Sequence, residues 1–277
     1  MPESGLGSRL PDLDYGLFAF YLVCVAVLTF ILLPVFVVFF YSFFGSAVGG
    51  LSRPTLEFYE GAISNNLDAI ILSIQIAVIT VIVDIIVGVP AAYTLVRYEF
   101  PFKRLLTELT ILPMAIPGIV IGVAIVRSWG APRFGIDIGG TVEIIIIGHI
   151  LFTIPFVIQV TMATLESIDY RRLEESARSL GAGWLRTFVY VIIPNIYSGI
   201  IAGSIMAFAL SLGEFNISFF VYTPQNTTLP IALFGGFRTA TVGEASALAS
   251  IFILLIVGLL LIVQLISDEG VKLGGNV

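Results

Sequence analysis

Residues 16–44 contain no charged side chain, and a helix of that length outspans the roughly 30 Å hydrocarbon core of a bilayer. Backbone N–H and C=O groups in lipid have no water to bind, so a chain with such a run must satisfy them within helices. Comparable apolar runs follow at about residues 68–96, 105–128, 141–165, 187–221 and 245–266. The expectation is an all-α integral membrane protein with about six transmembrane helices. Composition agrees: 58% of residues are hydrophobic and 12% charged, against about 45–50% and 25% in soluble domains. The first run exceeds the roughly 7–15 residues of a signal-peptide core and has no convincing A-x-A site, so it reads as a retained span.

Charges are gathered into the connections, and they orient the chain. The loop at residues 97–104, RYEFPFKR, sets Arg97, Lys103 and Arg104 beside span ends, which the positive-inside rule assigns to the cytoplasm. Alternating from there, residues 45–67 (with a short surface helix near 55–62), 129–140 and 223–244 lie outside, and the charged segment 166–187 lies inside. The tails at 1–15 and 267–277 are then cytoplasmic, and 16–266 form one transmembrane domain. On this layout most of the 13 Lys and Arg residues, Arg9 and Lys272 among them, face inward. The net charge of -6 is dispersed, and no basic stripe points to nucleic acid. Cys24 is the single cysteine, in an apolar run, so neither a disulfide framework nor a thiolate metal site is expected.

The inward segment has its own pattern. From Tyr170 to Leu180 there are helix formers and neither Gly nor Pro. Leu173, Ala177 and Leu180 fall a turn apart on one face, with Glu174, Glu175 and Arg178 largely off it. Gly181 ends this helix as a C-terminal cap would, and Trp184 begins another that leads into the bilayer. Within this helix-turn-helix knuckle stand Glu175-Ser176-Ala177, then Gly181, then Val191, then Ile193-Pro194. The spacing resembles the EAA motif of ABC-transporter permeases, with Ser176 for the middle Ala, Val191 for Ile and Ile193 for Leu. The resemblance implies the fold of a type I importer permease. It also implies that Glu174, Glu175, Ser176, Ala177, Gly181 and Pro194 couple the chain to cytoplasmic ATP-binding subunits, which would carry the ATP and magnesium. A second permease, an external solute-binding protein and a small-molecule solute complete the implied assembly in a prokaryotic plasma membrane, surrounded by lipid.

This chain has no G-x-x-x-x-G-K-[ST] phosphate loop, so the energy must come from another subunit. It has one histidine, no metal-ligand spacing and no G-x-S-x-G elbow, so it is read as a transport subunit, with no catalytic or metal residues, rather than an enzyme built on Asp84 and His149. Gly213-Glu214 interrupts the fifth apolar run. An acidic residue recurs there in related polyamine, sulfate and iron permeases, which assigns Glu214, with Asn216, to the translocation pathway; the competing reading is a buried hydrogen-bond partner. Asp84 and Glu108 read as helix anchors, His149 as a packed histidine, and the pairs Gly118/Gly122 and Gly199/Gly203 as close helix contacts. Residues 98–103, 112–118 and 223–230 resemble the second permease of spermidine/putrescine importers, which points to a polyamine solute. Permeases for thiamine, iron, phosphonates, sugars or sulfate are alternatives, because one of two acidic positions is Gly213 here. An ion-coupled secondary transporter would use Asp84, Glu108 and Glu214, yet it leaves the knuckle unexplained and no inverted repeat is visible.

Overall fold

The apolar runs form helices, two of them broken, in the computed structural model, which describes residues 15–45, 53–132 and 137–274, apart from the side chains of Tyr15 and 262–274. The helices are α1 (Tyr15–Phe44), α2 (Glu57–Arg97), α3 (Lys103–Ala115), α4 (Gly118–Trp129), α5 (Val142–Ser167) and α6 (Tyr170–Ser179). Then come α7 (Trp184–Thr187), a π-helical turn (Phe188–Ile192), α8 (Ile193–Asn195), α9 (Tyr197–Leu212), α10 (Ser218–Val221), α11 (Leu229–Thr239) and α12 (Val242–Gly274). Among the described residues, four helices are long and apolar enough to cross a membrane, and six spans result if each of two bent pairs counts as one. The N-terminal tail with Arg9, residues 46–52 of the first outer connection and residues 133–136 of the second lie outside the described residues.

Each bend has a local cause. α3 and α4 meet at 102°, where Ile116 precedes Pro117 and takes the extended conformation that a pre-proline residue favours (φ -87°, ψ 126°). The rod from Trp184 to Asn195 meets α9 at 73°. Pro194 has no N–H and its ring crowds the carbonyl one turn back, and the widened π turn ends two residues before it, at Ile192.

The core is a bundle of α2, α5 and α9, to which α12 is added, with α1 laid against α12. One apolar cluster, including Val89, Tyr93, Val157, Phe188, Ile192 and Ile200, fills the end nearest α6. A second, including Ile76, Ile121, Ile125, Ile145 and Ile217, fills the opposite half. α9 comes close to α5 because it lacks side chains at the contact: a Cβ on Gly199 would lie 2.0 Å from Thr164 Oγ1, and one on Gly203 would lie 3.1 Å from Val157 Cα.

One expectation needs correction. The short surface helix near 55–62 is not separate; it is the start of α2, a helix of 41 residues, about 60 Å long at 1.5 Å per residue. Its extension is held because Ala62 packs with Leu229, Ala247 and Leu248. The outer connection 223–244 contains α11, and its first turn is fixed by Leu229 N–H donating to Ser73 Oγ (2.7 Å). At the other end of the chain, α12 continues through residues 267–274 of the stretch expected to be a tail.

Candidate functional site: the α6 knuckle and the polar joint between the broken spans

Asp169 starts α6 by accepting from Arg172 N–H (3.3 Å), an N-cap that the Asp-Tyr-Arg-Arg sequence offers. The helix ends in a Schellman turn: Ala182 N–H reaches Ala177 O (3.0 Å) and Gly181 N–H reaches Arg178 O (2.9 Å). Gly181 has φ +82°, a left-handed conformation that glycine adopts without a Cβ clash. The turn then leads directly into α7.

The faces of α6 differ from the helical-wheel reading. Glu174 is 6% exposed and Ala177 is buried, whereas Leu180 is 89% exposed. Glu174 is buried because it is fully paired. Its oxygens accept from Arg97 Nε (2.8 and 2.7 Å), Tyr93 OH donates to Oε1, and Arg178 Nη2 stands 3.6 Å away. Tyr170 OH adds a bond to Val96 O (3.4 Å). A cleft of about 260 Å³ remains between α6 and the end of α2, lined by Arg97, Tyr170, Arg171, Glu174, Glu175 and Arg178. Glu175, Ser176 and Gly181 are exposed, beside the exposed apolar side chains of Leu180, Trp184 and Leu185. Glu174, Glu175, Ser176, Ala177 and Gly181 are thus brought together, divided between an inner and an outer face. Pro194 is exposed and belongs to the rod behind them.

The second polar centre lies where the two broken spans meet. A Cβ on Gly118, the first residue of α4, would be 3.0 Å from Asn216 Cβ and 3.5 Å from Glu214 Oε1, and one on Gly122 would be 3.2 Å from Ile217 backbone atoms. Glu214 is 5% exposed. Its carboxylate folds back on the break after α9, accepting from Ile217 N–H (2.8 Å), Ser218 N–H (2.9 Å) and Ser218 Oγ (3.1 Å). His149 of α5 bridges Ser211 Oγ (2.8 Å, from Nδ1) and Ser218 Oγ (2.9 Å, from Nε2). Because the Ser218 hydroxyl proton goes to Glu214, Ser218 accepts from Nε2–H, and Ser211 donates to Nδ1. Asp84 of α2 accepts from Thr153 Oγ1 of α5 (2.6 Å). These bonds tie α2, α5, α9 and α10 into one buried polar joint. Asn216, by contrast, is exposed, and Glu108 is a surface residue with Arg104 at 3.9 Å on the same helix, not an anchor to a neighbour.

Sequence reasoning did not single out Tyr93, Arg97, Ser211 or Ser218 as partners. Arg97 could be read as an orienting cation, but nothing local joins it to a glutamate 77 positions away.

Comparison with known proteins adds to this geometry. A family model described as "Binding-protein-dependent transport system inner membrane component" matches residues 84–272. The chain is 32% identical over 191 residues to the molybdenum transport system permease protein ModB of Escherichia coli (strain K12), covering 65% of this chain and 82% of that protein. It is 29% identical over 215 residues to the spermidine/putrescine transport system permease protein PotC of Haemophilus influenzae, covering 77% and 82% respectively. Its fold is similar to a chain of a bacterial ABC transporter involved in the import of the acidic polysaccharide alginate, with a TM-score of 0.67 at 17% identity, covering 97% of this chain and 99% of that one.

Proposed function

Given that the chain belongs to the family of binding-protein-dependent transport system inner membrane components, we propose that it carries a polyamine of the spermidine/putrescine kind through an ATP-driven importer. The chain is a multi-pass permease subunit of the type I ABC importer class. On the reading proposed here, cytoplasmic ATP-binding subunits grip the outer face of α6 and α7, a second permease completes the pathway, and an external binding protein delivers the solute. Both tails face the cytoplasm, and ATP and magnesium act on the partner subunits.

One observation carries the coupling part. The knuckle is fastened to α2 through α6 on one side and turns Glu175 of α6, Leu180 of the turn and Trp184 and Leu185 of α7 outward on the other, as a lever must if it is to be pushed by a separate subunit. The polyamine reading draws on residues 98–103, 112–118 and 223–230 and on the similarity to polyamine permeases. Similarity to molybdenum permeases favours a second reading, in which the solute is an oxyanion.

The test is purification of the tagged chain, co-expressed with its neighbouring genes, in mild detergent, followed by uptake into proteoliposomes. Co-purification of an ATPase and ATP-dependent uptake of spermidine or putrescine, but not molybdate, would support the proposal. Uptake of molybdate instead would move the solute to the second reading. Import driven by an ion gradient with no ATPase present would refute the coupling part.

A further inference from the structure

The pairing of Glu174 joins the knuckle to the membrane bundle at the end of α2. Glu174 lies in the helix expected to meet the ATPase, yet both of its oxygens are used within the chain, by Arg97 and Tyr93 at the end of α2. The Arg97 guanidinium is itself held, 4.3 Å over the ring of Tyr98. Tyr93 packs on Phe188 of the π turn (ring centroids 4.8 Å apart), and Phe188 stacks in parallel on Trp184 (6.0 Å, 2°). A half-exposed residue of the outer face, Trp184, is therefore joined through two buried aromatic rings to the same α2 turn that holds Glu174. α6, α2 and the rod from Trp184 converge on one closed set of contacts.

We propose that Glu174 is a positioning residue that bolts α6 to α2 through Arg97 and Tyr93, so that displacement of the knuckle drives α2, and that it makes no contact with the ATPase. This rests on the coupling reading above. A charged bond in which one Arg97 Nε–H is shared by both carboxylate oxygens, largely shielded from water, is a strong polar link between two helices. A contact residue for another subunit would be left exposed, as Glu175 is.

The experiment uses the complete complex in proteoliposomes, measuring ATP hydrolysis and uptake of spermidine or molybdate, whichever the wild type imports. The variants are Glu174→Gln, Tyr93→Phe, Arg97→Gln and the double variant Glu174→Gln/Arg97→Gln. Tyr93→Phe removes one hydroxyl and leaves the Arg97 bond, so it keeps the fold. The expected result is that all retain the ATPase subunits and hydrolyse ATP, while solute imported per ATP falls about tenfold for Glu174→Gln and about threefold for Tyr93→Phe. The double variant should be no worse than either Glu174→Gln or Arg97→Gln, since the two residues act as one link. Loss of the ATPase from Glu174→Gln would make Glu174 a contact residue and overturn the proposal. An unchanged ratio of solute to ATP in Glu174→Gln and Tyr93→Phe would also overturn it, by showing that the joint carries no motion. Absence of an ATPase from the wild-type preparation would instead count against the coupling reading on which this proposal rests.

Discussion

Gly181 and His149 show how much one position can decide. Gly181 holds φ +82° with nothing within 4 Å of a would-be Cβ, so a substitution there is opposed by backbone strain and not by crowding. Gly181→Ala should cost about 1 kcal/mol, and Gly181→Val more, because a β-branched residue tolerates that region poorly. Transport should fall further than thermal stability in detergent does, because the angle between α6 and α7 sets the outer face. His149 is a bridge with both nitrogens engaged. His149→Leu strands Ser211 and part of Ser218 in a buried site and should destabilise the protein by about 1–3 kcal/mol. A thermal melt in detergent measures it, and an unchanged midpoint would show that the bridge contributes nothing. Glycine as a helix stop was legible in the sequence at Gly181. The partners of His149 were not, because Ser211 reaches it from α9 across the contact with α5, and Ser218 only beyond the break that follows α9.

At the scale of elements, small residues decide which helices touch. The pair Gly199/Gly203 was legible as a contact stripe, but the identity of the neighbouring helix was not. The stripe faces α5, and a Cβ at 199 would fall on Thr164. Gly199→Val should therefore separate α9 from α5 at a cost of about 1–3 kcal/mol, and Thr164→Ala in the same chain should recover part of it. If Gly199→Val melts like the wild type, the helices can shift apart freely and the contact is not tight. Pro117 is a local helix breaker, whereas the 102° bend beside it is set with α4 lying against the break in the other bent span.

At the scale of the whole molecule, the two bent spans meet, and Glu214 is held at their junction by its own backbone. Glu214 is buried there and bonded to Ile217 and Ser218, while Asn216 is exposed. The arrangement of ends is open to a direct topology test. With Cys24→Ser as background, Leu185→Cys should react with a membrane-impermeant maleimide only in inside-out vesicles, and Gln225→Cys only in right-side-out ones. Labelling of both from the same side would overturn the orientation assigned by Arg97, Lys103 and Arg104.

By itself the sequence determined the class, the approximate spans and the knuckle, because each follows from short-range physics: uncharged runs must be helical in lipid, proline and glycine break helices locally, and a fixed spacing marks the loop. Tertiary structure alone decided that Glu174 faces inward while Leu180 faces out. A helical wheel places both residues relative to their own helix, but only packing against α2 supplies the arginine and tyrosine that make burying a carboxylate favourable. The same holds for Glu214, His149 and Asp84, whose partners lie on other helices or beyond a break that the chain makes only when folded.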